Sequence, residues 1–356
     1  MGCLGHSIEE PKGDNYILAE FEIKGDAFEE EQLIYNPVNN VVHEGEEGEE
    51  GQEGQGGENK EEKKEVRECE IEVNGQVIPF DGYYKFPKVG TYQIKYTFKT
   101  PLTDAASLFF YCTYLKKADL THLQGHKITS LRNFFTSCEL LQSVDFSNLN
   151  LQNVTDMRDM FQGCASLKNI NFNCKTKNLE DISGMFGNCA SLENIDLSHL
   201  YTKNIKGMAS LFGFCRGLKR IDLTMFDTQN VVDMDSLFYE CGGLESVNLK
   251  NFKTDKVINM KQMFAYCTSL KEIDLSNFNT KNVEDMEFMF SGCEKLTKVN
   301  LSGFDCSKAS LQGLFYKCPK LNKDGIITSE KKLLTNMKNL RKKKKKNKCI
   351  ELKLNN

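Results

Sequence analysis

No apolar run in this 356-residue chain is long enough to cross a bilayer. The opening residues, MGCLGHSIEE, lack the basic region and apolar stretch of a secretory signal. Together these absences predict a cytoplasmic chain whose thiols stay reduced. Histidine is scarce, with five in all: His6, His43, His122, His126 and His199. His122 and His126 have i, i+4 spacing but no HExxH context, which argues against a zinc site. The chain has no GxSxG, Walker loop, dinucleotide fingerprint or kinase signature. It also has no CxxC pair. The expectation is a non-enzyme: no catalytic residue, no metal, no cofactor and no small-molecule substrate. A formal net charge of −4 gives no reason to expect a nucleic-acid partner.

The near-neutral balance hides two blocks. Glu44 to Glu65 is rich in Glu and Gly, and Arg341, Lys342, Lys343, Lys344, Lys345, Lys346 and Lys348 form a basic tail. Such blocks are usually solvated and often serve as interaction tails.

What the sequence has in abundance is a repeat. Cys112, Cys138, Cys164, Cys189, Cys215, Cys241, Cys267, Cys293 and Cys318 follow one another at steps of 26 residues, twice shortened to 25. A Phe stands three residues before each, from Phe109 to Phe315, and a Leu three residues after, from Leu115 to Leu321. The clearest unit, Met263 to Met286, reads MFAYCTSLKEIDLSNFNTKNVEDM. Its period suits a leucine-rich repeat. Leu270, Ile273 and Leu275 would point inward from a short strand, and Glu272, Asp274 and Ser276 outward. Val283, Met286, Met289 and Phe290 have helix-like spacing, so the convex side is predicted as a turn followed by a short helix or 3₁₀ segment. The fold class is therefore an α/β leucine-rich-repeat solenoid of about nine coils with short parallel strands. Stacked coils would bury the nine cysteines as a column of structural thiols.

With these residues, the array from Leu108 to Leu321 resembles the BspA-like leucine-rich repeats, whose unit is MFxxCxxLxxIDLSxFxTxxV. The resemblance implies an adhesive or binding solenoid, often displayed on a cell surface. The chain departs from displayed members in having neither signal nor span. The segment from Cys69 to Cys112 is similar to a leader that precedes such repeats in some protist proteins.

Ahead of the array, Asn15 to Lys24, Gln32 to Tyr35, Glu68 to Asn74, Val77 to Phe80, Tyr83 to Phe86 and Thr91 to Lys99 read as strands. Asn74-Gly75 and Asp81-Gly82 are hairpin signals between them. A small antiparallel all-β module, sandwich or sheet, is expected to dock on the first coil and cap it. The resulting layout is residues 1–13 as a lipidation-type terminus and 14–104 as the β module, with an acidic loop at 37–67. Residues 105–322 form the solenoid, 323–340 a capping helix begun by Ser329, and 341–356 the polybasic tail. The acidic loop reads either as a spacer or as a site for a basic partner.

Both ends suggest a membrane. Gly2 and Cys3 suit myristate and palmitate, although His6 stands where the usual pattern has Ser or Thr. Each charge of the tail contributes about 1 kcal/mol at an anionic leaflet. A peripheral position on the inner leaflet is one expectation, and the cell surface is the alternative. On the strand face, Asp119, Asp145, Asp196, Asp222 and Asp274 share one outward column, and Ser147, Ser198 and Ser276 belong to the next. These columns read either as a solvated ladder that caps turns or as a docking surface for a basic segment of a partner protein. A recognition arm for a kinase or ligase carried on another chain is a further reading.

Overall fold

A computed structural model describes residues 15–37, 68–79, 81–147 and 149–335. Gly2, Cys3, the polybasic run and most of the acidic loop lie outside the described residues.

The first strands alternate in burial. Ile17, Ala19, Phe21 and Ile23 of β1 (Tyr16–Ile23) point into the core, as do Ile94, Tyr96 and Phe98 of β6 (Gly90–Phe98). Strand β3 (Cys69–Val73) pairs antiparallel with β6 and with the short β4 (Gln76–Ile78), and β6 pairs with β1. A separate antiparallel pair, β2 (Glu31–Leu33) with β5 (Tyr83–Lys85), covers the inner side. The module does not dock as a separate sandwich. Strand β1 pairs antiparallel with β7 (Leu115–Asp119), the first strand of the repeat, and β7 pairs parallel with β8 (Ser143–Asp145). One six-stranded sheet, ordered β4-β3-β6-β1-β7-β8, therefore runs from the module into the array. The cap satisfies the edge of the first coil by backbone hydrogen bonds, which removes an exposed strand edge.

The repeat is a solenoid of about eight coils. Later coils add β10 (Asn169–Asn171), β12 (Asn194–Asp196), β13 (Arg220–Asp222), β14 (Ser246–Asn248), β15 (Glu272–Asp274), β16 (Lys298–Asn300) and β17 (Ile326–Ile327), and two-residue strands β9 (Asn150–Leu151) and β11 (Lys175–Thr176) pair at a second corner. Along the strand face the ladder is interrupted: β10 pairs with β12, β13 with β14, and β16 with both β15 and β17.

The expected convex helices are absent, so this is a β-solenoid rather than an α/β one. Among the described residues, helix is confined to 3₁₀ turns at Gly125–Lys127 and Lys323–Gly325 and to residues 331–335. Each Met-Phe-Cys segment is instead a series of tight turns. In the coil of Cys138, the N–H of Phe134, Thr136 and Cys138 each bond the carbonyl three residues back. The N–H of Leu131, Asn133, Phe135 and Ser137 bond carbonyls of the next coil, at Asp156, Arg158, Met160 and Gln162. A helix would send all of them to i−4. The turns require left-handed backbone twice per coil, four residues apart, as at Asn133 and Ser137 or Ser236 and Glu240. Apolar spacing of three and four suits both structures, which is why the pattern misleads.

Stacking fills the core. The nine repeat phenylalanines form one ladder with ring centroids 5.5–5.8 Å apart and planes within 21° of parallel. Offset stacking at that distance adds to the burial of the rings. At the far end the segment predicted as helix from residue 323 begins with a 3₁₀ turn and β17. Among the described residues of this segment, 331–335 are helical, with Leu333 fully buried and the Lys332 ammonium donating to the carbonyls of Cys306 and Ala309.

Candidate docking face

The cysteine column lies inside. From Cys138 to Cys318, each repeat thiol donates to the carbonyl of the repeat Phe one coil earlier, at 2.9–3.2 Å. Burial pushes the repeat thiols from Cys112 to Cys293 up, Cys215 to about 12 and the others further. A raised pKa withholds the reactive thiolate. All twelve cysteines of the described residues are buried thiols, Cys69, Cys174 and Cys306 included. Among the described residues no three His, Cys, Asp or Glu side chains group as metal ligands. His122 is stacked on Tyr16 at 4.4 Å.

The outward side of the strands is the open surface. Asp145, Asp196, Asp222 and Asp274 are exposed and Asp119 is half-buried. Each accepts, through Oδ1, the N–H of the residue two positions on: Thr121, Ser147, Ser198, Thr224 or Ser276, at 2.8–2.9 Å. This turn is local, so Asp or Asn followed by a hydroxyl residue at that spacing encodes it. Asn248 and Asn300 make the same bond more loosely, at 3.4 and 3.2 Å. The Ser147 and Ser276 hydroxyls, then their amides, hold Asp145 and Asp274 below the usual carboxylate range. At Asp196 and Asp222 the amides of Ser198 and Thr224 contribute most. The serine column is therefore the partner of the aspartate column rather than a second site.

Two grooves of about 570 Å³ each open on this face and share Ser143, Val144 and Asn171. The first lies where the module meets the array, bordered by Glu20, Gln93, Lys117 and Asp145. The second is lined by Asn169, Asn194, Asp196, Arg220 and Asp222. Glu20 and Gln93 were not among the residues expected at the site. Nothing in their local sequence announces that β1 pairs edge-on with the repeat. Lys117, Arg220, Glu272 and Lys298 share the neighbouring outward column, so the carboxylates form a line within a mixed-charge surface rather than an acidic plate.

A second carboxylate row, also unforeseen, runs along the opposite corner. Asp156, Asp181, Asp233 and Asp285 stand in an unbroken line of parallel bridges from Ser130 to Ser310. Their Oδ1 atoms accept from the N–H of Arg158, Ser183, Asp235 and Glu287. The signal was present in the sequence, as an Asp eight residues before five of the cysteines, Asp104 included.

The comparisons with known proteins bear on the array. A family model described as "Mycoplasma protein of unknown function, DUF285" matches residues 103–221 and again 207–331. No curated protein matches the chain, and no solved structure does.

Proposed function

Because the chain belongs to the DUF285 family, whose function its description leaves unknown, we propose a role from the surface itself: a non-enzymatic scaffold that holds a protein partner along the strand face. The carrying observation is the line of exposed carboxylates, each fixed in place by its own turn and set beside two joined grooves. Groups held in one orientation before binding cost little ordering when a partner arrives. The partner that fits is a segment crossing the strands with basic side chains near the strand spacing of about 4.8 Å.

The test uses the full chain and an octalysine peptide as probe. Asn already occupies the aspartate column at positions 171, 248 and 300, so Asp→Asn keeps the turn acceptor and removes only charge. Asp196→Asn with Asp222→Asn should weaken the probe about tenfold, near 1.4 kcal/mol. Unchanged affinity would refute the face as the site.

The scaffold is further proposed to sit on the inner leaflet, held by acyl groups on Gly2 and Cys3 and by the basic run from Arg341 to Lys348. Metabolic labelling with myristate and cell fractionation decide this, because Gly2→Ala should release the protein from membranes. A BspA-like surface adhesin is the second reading, favoured by the MFxxCxxLxxIDLSxFxT unit.

A further inference from the structure

Along the turn ridge, two adjacent coils lack a side chain two positions before the repeat cysteine. Two positions before the cysteine stand Tyr239 and Tyr316 in later coils, but Gly187 and Gly213 in the coils of Cys189 and Cys215. Five positions before it stands Phe288 in one coil, but Gly184 in the Cys189 coil. The result is a notch of about 710 Å³ floored by these glycines. Asp159 and Gln162 line it from one neighbouring coil, and Phe214 and Arg216 from another. A pocket of this volume suits a small ligand.

Its polar groups are mixed. The Asp159 carboxylate leans over Gly184 so closely that any Cβ there would collide with it. Among the described residues nothing donates a hydrogen bond to that carboxylate. Burial raises its pKa, against the pull of Arg132 and Arg158, and the Arg158 guanidinium is already held by Asp156. An ionised carboxylate is an acceptor only, so it calls for donors. Opposite, Arg216 offers only donors; one of its terminal nitrogens bonds Glu240 at 2.6 Å and the others remain available. The amides of Gln162 and Asn188 both donate and accept. Phe214, 38% exposed and fixed edge-on against Tyr239 at 5.1 Å, adds an apolar wall.

We propose that this notch binds a short neutral saccharide of two pyranose units. A cation would face Arg216, and an anion would face Asp159. A sugar hydroxyl both donates and accepts, and so meets each group in turn. The C–H face of a pyranose suits the Phe214 ring. The notch lies on the ridge, away from the strand face, and stands independently of the scaffold reading.

Saturation-transfer NMR on the full chain tests this with maltose, cellobiose, lactose and diacetylchitobiose at up to ~10 mM, the range of weak recognition. At least one sugar should receive saturation. Gly213→Tyr should abolish it without lowering the melting temperature. Tyr stands at this position in two other coils, and a Cβ at Gly213 meets only ordinary contacts of 3.4 Å or more. Asp159→Asn should weaken binding about tenfold. Asp196→Asn with Asp222→Asn, on the other face, should leave it unchanged. No transfer to any of the four sugars would overturn the proposal. So would transfer that survives Gly213→Tyr, or competition for the notch by octalysine instead of sugar.

Discussion

Each coil has two long sides built on different principles. On the strand side, short strands pair in broken groups and most coils order their own polar turn through an Asp or Asn Oδ1. On the ridge side, the coils are joined without interruption by the bridge line from Ser130 to Ser310, the phenylalanine ladder and the thiol-to-carbonyl bonds. The ridge also accepts non-glycine residues in left-handed backbone, at a cost of roughly 1–2 kcal/mol each. Such strain persists only where surrounding contacts over-determine the conformation. Stability between coils is thus concentrated on one side, which leaves the other side's polar residues free to vary without loss of the fold.

The most damaging way to break this asymmetry is Phe212→Ala, which interrupts the ring ladder between Phe186 and Phe238. A loss of about 3–5 kcal/mol is expected in denaturant unfolding. Next comes the buried Thr254, whose hydroxyl accepts from the N–H of Asn279 at 2.8 Å and donates to its carbonyl at 2.9 Å. Thr254→Val keeps the shape and leaves both backbone groups without the hydroxyl, at a cost of about 1–3 kcal/mol. Asp235→Asn should act in the opposite direction. Its Oδ1 is buried without a hydrogen-bond partner, and burial raises its pKa. The folded carboxyl holds its proton to higher pH than the unfolded one, so stability falls as pH rises between the two values. Asparagine removes that loss. The midpoint should rise at pH 7, and the gain should vanish well below the unfolded carboxyl pKa of about 3.9. Smallest on stability is Asp145→Asn on the strand face, since the amide oxygen can still accept from Ser147. The wild-type carboxylate is held ionised, so its contribution is present above the unfolded pKa and disappears as pH falls through the lower folded one. An acid titration of the melting temperature reads both aspartates together.

The sequence disclosed this division unevenly. The register of Cys112 through Cys318 gave away the solenoid, its core columns and the outward aspartates, because stacked coils repeat their chemistry at a fixed period. It did not disclose the ridge conformation. Val283, Met286, Met289 and Phe290 satisfy helical spacing, and what excludes a helix is hydrogen bonding between coils, such as Phe264 N–H to Met289 carbonyl, which no single coil contains. The edge-on pairing of β1 with β7 was hidden for the same reason. Ile17, Ala19, Phe21 and Ile23 specify a half-buried strand but not its neighbour. The notch at Gly184 and Gly213 was visible only as missing bulk at two column positions, and it became a site once Asp159 and Arg216 were found on either side of it.

One paired measurement bears most directly on the separation of stability from binding. The triple variant Asp196→Asn, Asp222→Asn, Asp274→Asn is compared with the natural chain for melting temperature and for octalysine affinity in the same buffer. The division of labour predicts a melting temperature within about 2–4 °C, equivalent to roughly 1 kcal/mol for a chain of this size, and affinity reduced by tenfold or more. A collapse of the melting temperature with octalysine binding intact would contradict it.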